Sequence, residues 1–515
     1  MTQIVVIGAG MGGLVAAVEA ARAGFDVTLI EKADAPGGKI RTINAGGQAI
    51  DAGPTVFTMK PVFDELFARS GQTFDSVVKS EKLNVLARHF WPDGSRLDLF
   101  ADRARSIDAI AAFAGYAEAK AFENFSAEAS RLYGLLRDKF IFADRLGVGG
   151  MIAALGLPGL AALTKLGPFA TLWQKLGRDF KDPRLQQLFA RYATYSGGSP
   201  FLSPATLMLI ADVEMQGVWH IEGGMKALAQ SVADLAVTQG VRFHFGEAVA
   251  SIDAPKGCVQ SVTLQSGEKL KADKVIFNGD VAALADGLLG PSVTRAGIKM
   301  PQKRRSLSAM TWCVSTPACG HALSHHNVFF DWDYCSEFDD VFKARRLPRQ
   351  PTLYVCAQDR GNHVPQSGRE RLLMLINAPA DGDSGPLPAA QIMAAERAIA
   401  GHLARQGISL DDAEIIRTEP HDFATLFPGS GGALYGQAPH GWIRSVTRGD
   451  ARTAIEGLYR CGGSVHPGAG VPLAALSGLK AVSALMADCN SISPSRRAVI
   501  SGGMSTRSAR TEPTA

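Results

Sequence analysis

The chain has 515 residues, 46% of them hydrophobic, and its 53 Lys and Arg against 49 Asp and Glu give a formal net charge of +4. That length exceeds one compact core and predicts two domains, while the composition excludes a disordered chain and a polytopic membrane protein. No dense Lys or Arg block excludes nucleic acid as an implied partner, and seven scattered cysteines without a C-x-x-C pair predict reduced thiols in the cytoplasm.

Residues 4–7 form an apolar strand that enters Gly8-Ala9-Gly10-Met11-Gly12-Gly13, a G-x-G-x-x-G turn opening a helix. Gly8 permits the tight turn, Gly10 lets backbone approach a pyrophosphate, and Gly13 lets helix pack on strand, with helical N–H groups offered to the phosphates. The start of the chain runs directly into this strand, leaving no expected room for a cleavable targeting segment. Glu31 follows the next strand, where a carboxylate suits a ribose 2′-hydroxyl and repels a 2′-phosphate, favouring FAD or NAD over NADP. In Pro36-Gly37-Gly38-Lys39-Ile40-Arg41 the bare backbone at Gly37 and Gly38 can lie against a flavin nucleotide, with Arg41 near its diphosphate. A second glycine turn, Gly53-Pro54-Thr55, returns the chain to the same place, and Asp51 before it reads as a turn cap.

An Ala-rich stretch from about 110 to 190 has helical periodicity. Inside it, residues 146–178 hold an apolar run broken by glycines and Pro158, continued by Leu166, Phe169, Leu172 and Trp173 with Lys165, Lys175 and Arg178 interspersed. It is too interrupted to span a bilayer and predicts a patch lying in the lipid boundary with cations at the headgroups; a pair of buried helices is the alternative. Beyond Trp219 come an amphipathic helix (Leu228, Val232, Leu235), a strand at 241–245, a strand at 249–252 whose backbone at Val249 can bond an adenine edge, and a hairpin strand ending at 275–278. His220 and Glu222 either face a cavity or end a solvated strand. Strands at 308–314 and 372–377 suit the floor of a substrate cavity. The glycine-rich 427–432 lacks a strand-helix context and is not a second nucleotide site. Residues 457–463 form a strand entering glycine, and Ser464 to Pro472 lead into a helix that points its positive end at the turn. His466 in that turn either sits beside a cofactor or satisfies backbone groups. Residues 491–515 read as a disordered tail.

Taken together, Gly8 to Leu14, Glu31 with Gly37-Gly38-Lys39, Gly53-Pro54-Thr55, Glu222-Gly223-Gly224-Met225 and Gly463-Ser464-Val465-His466-Pro467-Gly468-Ala469-Gly470-Val471-Pro472 resemble the bacterial carotenoid (phytoene-type) desaturases, FAD enzymes of the amine-oxidase-like superfamily, over nearly the whole chain. Residues 51–59 and 86–100 are most similar to the hydroxyneurosporene desaturases, or 1-hydroxycarotenoid 3,4-desaturases, of purple photosynthetic bacteria. With this resemblance the expected fold is α/β: a Rossmann-like FAD-binding domain from 1–70, 215–285 and 420–490, interleaved with an α+β substrate- and membrane-facing domain from 71–214 and 286–419.

The resemblance implies FAD held by Gly8, Gly10, Gly13, Glu31, Gly37, Gly38, Lys39, Arg41, Gly53, Pro54, Thr55, Val249, Gly463, Ser464, Gly470, Val471 and Pro472, with no metal and with His466 as the candidate catalytic side chain. Two hydrogens would leave a carbon–carbon bond beside a polyene, one as hydride to the flavin and one as a proton. A delocalised polyene cation makes that proton acidic, so no strong base is demanded. The implied substrate is an acyclic hydroxycarotenoid, the electron acceptor oxygen or a quinone, and the location the cytoplasmic surface of the inner membrane. Ser464 stands where flavoproteins of this build often carry an acid, which predicts looser flavin binding. A phytoene desaturase, an amine oxidase of the same fold and a non-enzymatic lipid-binding flavoprotein are the other readings.

Overall fold

The structure, a computed structural model, describes residues 1–144, 169–317, 323–363, 368–442 and 447–492, together with the single positions 150, 153, 156, 159, 167 and 444. Five parallel strands form one sheet, in the order Leu458–Arg460, Lys274–Phe277, Gln3–Ile7, Asp26–Ile30, Arg242–His244. Val5, Val6, Leu29, Val275 and Ile276 are buried, as expected of parallel strands covered on both faces. Lys274–Phe277 is therefore an inner parallel strand rather than the hairpin strand expected from its sequence. The antiparallel pairing that the turn residues promised is made one step earlier, by a small sheet of Val249–Asp253, Ser261–Leu264 and Lys269–Lys271.

Helices Met11–Arg22, Gly224–Thr238 and Val471–Ile492 pack together on the five-stranded sheet. The first and last of these cross where Gly478 meets the backbone of Gly12; a Cβ at Gly478 would fall well inside van der Waals contact of the Gly12 carbonyl. Val471–Ser491 is long and apolar enough to cross a membrane, yet most of it is buried in this packing. It is a core helix of the fold.

The second sheet has seven strands, in the order Glu414–Thr418, Ser308–Pro317, Arg369–Ala378, Leu353–Ala357, His326–Phe329, Val85–Phe90, Arg96–Phe100. All its pairings are antiparallel except that of His326–Phe329 with Val85–Phe90. The expected floor strands are both present, and two more come from residues 85–100. Helices Arg103–Ala114, Tyr116–Leu136, Leu172–Asp179 and Pro183–Ala190 cover one end, packed through an aromatic cluster of Phe122, Phe125, Phe180 and Phe189.

Residues 145–149 and most of 151–168, which carry the apolar run, lie outside the described residues, as does the tail after 492. Where the run continues, the expectation of a lipid-facing surface is corrected in part. Leu172 and Leu176 are buried, Trp173 packs on Phe201, and Lys175 is buried in ion pairs with Glu128 and Asp179 at 2.9 and 2.5 Å. A lysine whose ammonium has two carboxylate partners inside the fold does not face headgroups. Phe169 remains exposed.

Asp51 joins the two sheets. Its carboxylate is buried and accepts from the Met225 N–H at 2.5 Å, capping Gly224–Thr238 from the end of the distant strand Gln48–Asp51. The Gln358 side chain bonds both the N–H and the C=O of Asp51, at 2.9 and 2.8 Å. The turn cap read from sequence is thus a cap on another helix. Because the crossing at Gly12 and Gly478 has no room for a side chain, Gly478→Val is expected to destabilise the protein by about 1–3 kcal/mol, the usual range for overpacking. Calorimetry should show a melting temperature about 1–3 °C lower, and an unchanged transition would contradict this account of the crossing.

Candidate functional site

A cavity of ≈ 1480 Å³ lies between the two sheets, well above the roughly 300–1,000 Å³ of ordinary small-molecule sites. One end is built from the glycine turn. Gly8 has φ +98°, the left-handed region that glycine tolerates, and a Cβ at Gly13 would strike the Gly8 carbonyl. Asn278 fills the remaining gap, donating its amide to the Gly8 carbonyl at 3.1 Å and lying against Gly10, Gly12 and Gly462. The helix that starts at Met11 therefore presents its N-terminus to the cavity, as does the helix that starts at Val471.

Glu31 is held by two backbone donors, Ala9 N–H to Oε2 at 2.7 Å and Ala33 N–H to Oε1 at 2.9 Å. The Gly37 N–H donates to the Ala9 carbonyl at 2.8 Å, and a Cβ at Gly38 would come 3.0 Å from Gly10 Cα. These glycines let two strands of backbone close over one slot. Gly53 similarly abuts the Lys39 carbonyl. Of the sequence-derived candidates, Gly8, Gly10, Glu31, Gly37, Gly38, Lys39, Arg41, Gly53, Pro54, Thr55, Val249, Gly463, Ser464, Gly470, Val471 and Pro472 all line the cavity, while Gly13 acts behind it through packing.

His466 and Arg41 both make contacts within the protein. His466 is buried with Nε2 3.2 Å from the Ala143 carbonyl and its ring edge-on to Phe140; the cavity wall beside it is Pro467 and Gly468. Its ring satisfies backbone instead of facing the cavity. Arg41 lines the cavity but extends its guanidinium to Thr418 Oγ1 at 3.2 Å, over the Phe423 ring. His220 and Glu222 do not line the cavity: His220 lies 3.3 Å from the Gln358 carbonyl, and Glu222 is exposed beside Lys79. Phe427 and Pro428 line this same cavity.

Sequence reasoning missed Arg448 and Asn278. Arg448 is buried and donates to the carbonyls of Gly463 at 2.8 Å, Tyr435 at 2.9 Å and Gln437 at 3.1 Å, clamping the closing turn. Burial pushes its pKa down to about 10, opposed by Asp280. Lys39 is likewise held below its ordinary range by burial, with Asp280 again opposing, and donates to the Leu434 carbonyl at 2.6 Å. Ser464 Oγ accepts from Val281 N–H at 3.2 Å. No motif surrounds Arg448 or Asn278; each is recognisable only once the chain has folded around the glycine turn.

The donor set fits a dinucleotide. Two helix N-termini, a fixed carboxylate at the end of the second strand and a slot lined by Gly10 and Gly38, which any side chain would fill, are the features a pyrophosphate and a ribose require. Much of the remaining cavity wall is apolar and includes Leu136, Phe140, Leu207, Ile210, Val213 and Leu375.

The model of the family described as flavin containing amine oxidoreductase matches residues 11–486. The chain is 50% identical over 513 residues to a hydroxyneurosporene desaturase of Rubrivivax gelatinosus, covering 99% of this chain and 98% of that one. It is 44% identical over 489 residues to a hydroxyneurosporene desaturase of Rhodobacter capsulatus, covering 95% and 98%. A solved structure of cyclohexylamine oxidase from Brevibacterium oxydans matches with a TM-score of 0.56 at 15% identity, covering 95% of this chain and 99% of that one, a likeness of fold.

Glu31→Arg removes an acceptor for two backbone N–H groups and places a cation at the ribose end of the slot. Hydrogen bonds to a charged group contribute about 1.5–3 kcal/mol each, so flavin affinity is expected to fall at least tenfold. The ratio of visible to ultraviolet absorbance in the purified variant measures this; a ratio equal to that of the unaltered protein would exclude Glu31 from cofactor binding.

Proposed function

The chain belongs to the flavin containing amine oxidoreductase family, and from that premise we propose that it is an FAD-dependent carotenoid desaturase that introduces the 3,4 double bond into acyclic 1-hydroxycarotenoids such as 1-hydroxyneurosporene. The observation that carries this reading is the 50% identity to a hydroxyneurosporene desaturase along 99% of the chain. Bound FAD supplies the two-electron acceptor that oxidation of a carbon–carbon bond requires.

The chain's own residues bind, orient and exclude water. The glycine slot, Glu31, Lys39 and the N-termini of the helices starting at Met11 and Val471 would hold the dinucleotide, with Arg448 keeping the closing turn in place. The apolar wall formed by Leu136, Phe140, Leu207, Ile210, Val213 and Leu375 suits a polyene and excludes water from it. The proton lost beside a delocalised polyene cation is already acidic, so its removal demands no dedicated side-chain base. The placement of His466 against the Ala143 carbonyl agrees with that chemistry.

The substrate is insoluble in water, and the reading extends to an enzyme bound peripherally at the cytoplasmic face of the inner membrane, passing electrons to oxygen or a quinone. Phe169 supports this: it is 81% exposed and stands between Gly167 and Ala170, which both line the cavity. A large apolar side chain in water beside the substrate cavity is a natural contact for a lipid surface.

Expression in a host that accumulates 1-hydroxyneurosporene should yield pigment with a red-shifted spectrum, while phytoene should be converted poorly. Efficient phytoene conversion without that red shift would move the enzyme to an earlier step. His466→Ala is expected to lower turnover by much less than the roughly 10²- to 10⁴-fold typical of deleting a general base; abolished turnover with flavin retained would show that a base is needed. Phe169→Asp should move the protein from the membrane pellet to the supernatant with flavin still bound, and an unchanged partition would remove Phe169 from any lipid contact.

A further inference from the structure

Three side chains able to bind a metal converge on neighbouring strands of the seven-stranded sheet. His326 stands directly opposite Cys356 where His326–Phe329 pairs with Leu353–Ala357, and His325 comes one residue earlier. One ligand atom from each of His325, His326 and Cys356 lies within 4.8 Å of the other two, and all three residues are buried.

The orientation of these groups suits a cation. His325 Nδ1 is 2.7 Å from the Arg360 carbonyl, which can only accept, so Nδ1 carries the proton and Nε2 the lone pair. That lone pair belongs to an atom 3.6 Å from Cys356 Sγ. With metal–nitrogen bonds of about 2.0–2.1 Å and a metal–sulfur bond of about 2.3 Å, tetrahedral angles set N and S about 3.5 Å apart, close to the separation found. Donation of the second ring N–H to a carbonyl is also how metal-binding histidines are held. His326 Nδ1 is 2.7 Å from the Tyr354 hydroxyl, while its Nε2, on a residue only 3% exposed, has no hydrogen-bond partner among the described residues. Buried polar atoms are rarely left so. A hydrogen-bond network alone explains less: a thiol S–H aimed at His325 Nε2 would pair those two groups weakly and leave the His326 nitrogen unused.

The donor set also selects the ion. Two imidazoles and a thiolate suit a soft or borderline metal and disfavour magnesium and calcium, which take oxygen ligands. Cys356 packs with Ala45, Ile50, Ala52, Cys313 and Leu373, an apolar shell that keeps water from competing for the ion. We propose that His325, His326 and Cys356 form a binding site for a zinc(II) ion, the Cys356 thiol releasing its proton to solvent on binding. Three protein ligands leave the fourth corner of the tetrahedron to a non-protein donor such as water. The resemblance that implied FAD implied no metal, so this site is a property of the chain itself and holds whatever the substrate. The ion bridges two strands and fixes the His326 ring. That ring bonds Tyr354, whose hydroxyl is 2.7 Å from Thr55 Oγ1 in the cavity wall, so metal binding stiffens this part of the wall.

The test uses the purified flavin-loaded protein, without an affinity tag and kept reduced with a phosphine. Produced in zinc-supplemented medium, the unaltered protein should carry one zinc per chain by elemental analysis, and Cys356→Ser at least tenfold less. Cobalt(II) added after chelation reports the ligands directly, because tetrahedral cobalt on a thiolate gives a sulfur-to-metal band in the near ultraviolet and d–d bands to the red of the flavin. These bands should saturate at one cobalt per chain, bleach on addition of one equivalent of zinc, and disappear in Cys356→Ser and His326→Gln. Retained flavin shows that each variant is folded. Cys335→Ser, at an exposed thiol, should keep the bands, which locates the thiolate without disturbing the interior. Unaltered protein that takes up neither zinc nor cobalt overturns the site, as do cobalt bands that persist in Cys356→Ser or vanish in Cys335→Ser.

Discussion

Absence of side chains at a few glycines is the constraint on which the rest of this molecule depends. Gly13 brings the first helix against the strand that precedes it, and Gly12 and Gly478 bring the first and last helices into backbone contact. Both helices begin at the cavity, so their approach fixes where two sets of unpaired N–H groups point. Asn278 and Gly462 close the remaining space. A methyl group at any of these crossings would separate the helices and disperse the positive end that an anionic cofactor needs.

The substrate side is organised on a different principle. Its seven-stranded sheet and aromatic helical cover provide an apolar wall, and several polar side chains in and behind that wall are tied into buried networks. Asn377 and Thr352 bond Glu337, whose pKa burial raises to about 7. His325 lies 2.7 Å from the Arg360 carbonyl and 3.6 Å from Cys356 Sγ, and burial lowers its pKa to about 4. Polar groups fixed in this way keep their directions when water is expelled. The Asp51–Gln358 bonds connect that rigid wall to the nucleotide sheet, so the two faces of the cavity hold a set distance.

What could be read from sequence is what depends on local backbone. The glycine turn, the carboxylate of Glu31, the closing turn before Val471 and the floor strands at 308–317 and 369–378 are each specified by neighbours in the chain, and they stand where the pattern put them. The rest is set by distant approach. Asn278 and Arg448 carry no motif, and their roles exist only because separate segments meet. His466 sits in a legible turn, yet which way its ring points was decided by Phe140 and Ala143, more than three hundred residues earlier. Lys175 looked like a surface cation because its partner Glu128 is forty-seven residues away. Residues 274–277 looked like a hairpin because the preceding turns are genuine; the parallel partners on both sides come from the two ends of the chain.

That strand order bears on how the protein is made. The strand Gln3–Ile7 acquires its neighbour Lys274–Phe277 only after some 270 further residues, and that neighbour is covered in turn by Leu458–Arg460. At a synthesis rate of about 5–20 residues per second, an apolar edge near the start of the chain waits tens of seconds on the ribosome for its partner. Such an unpaired edge is a template for wrong pairing. Folding of the nucleotide side is therefore completed from the C-terminal end of the described chain, with that first edge in need of shielding in the interval.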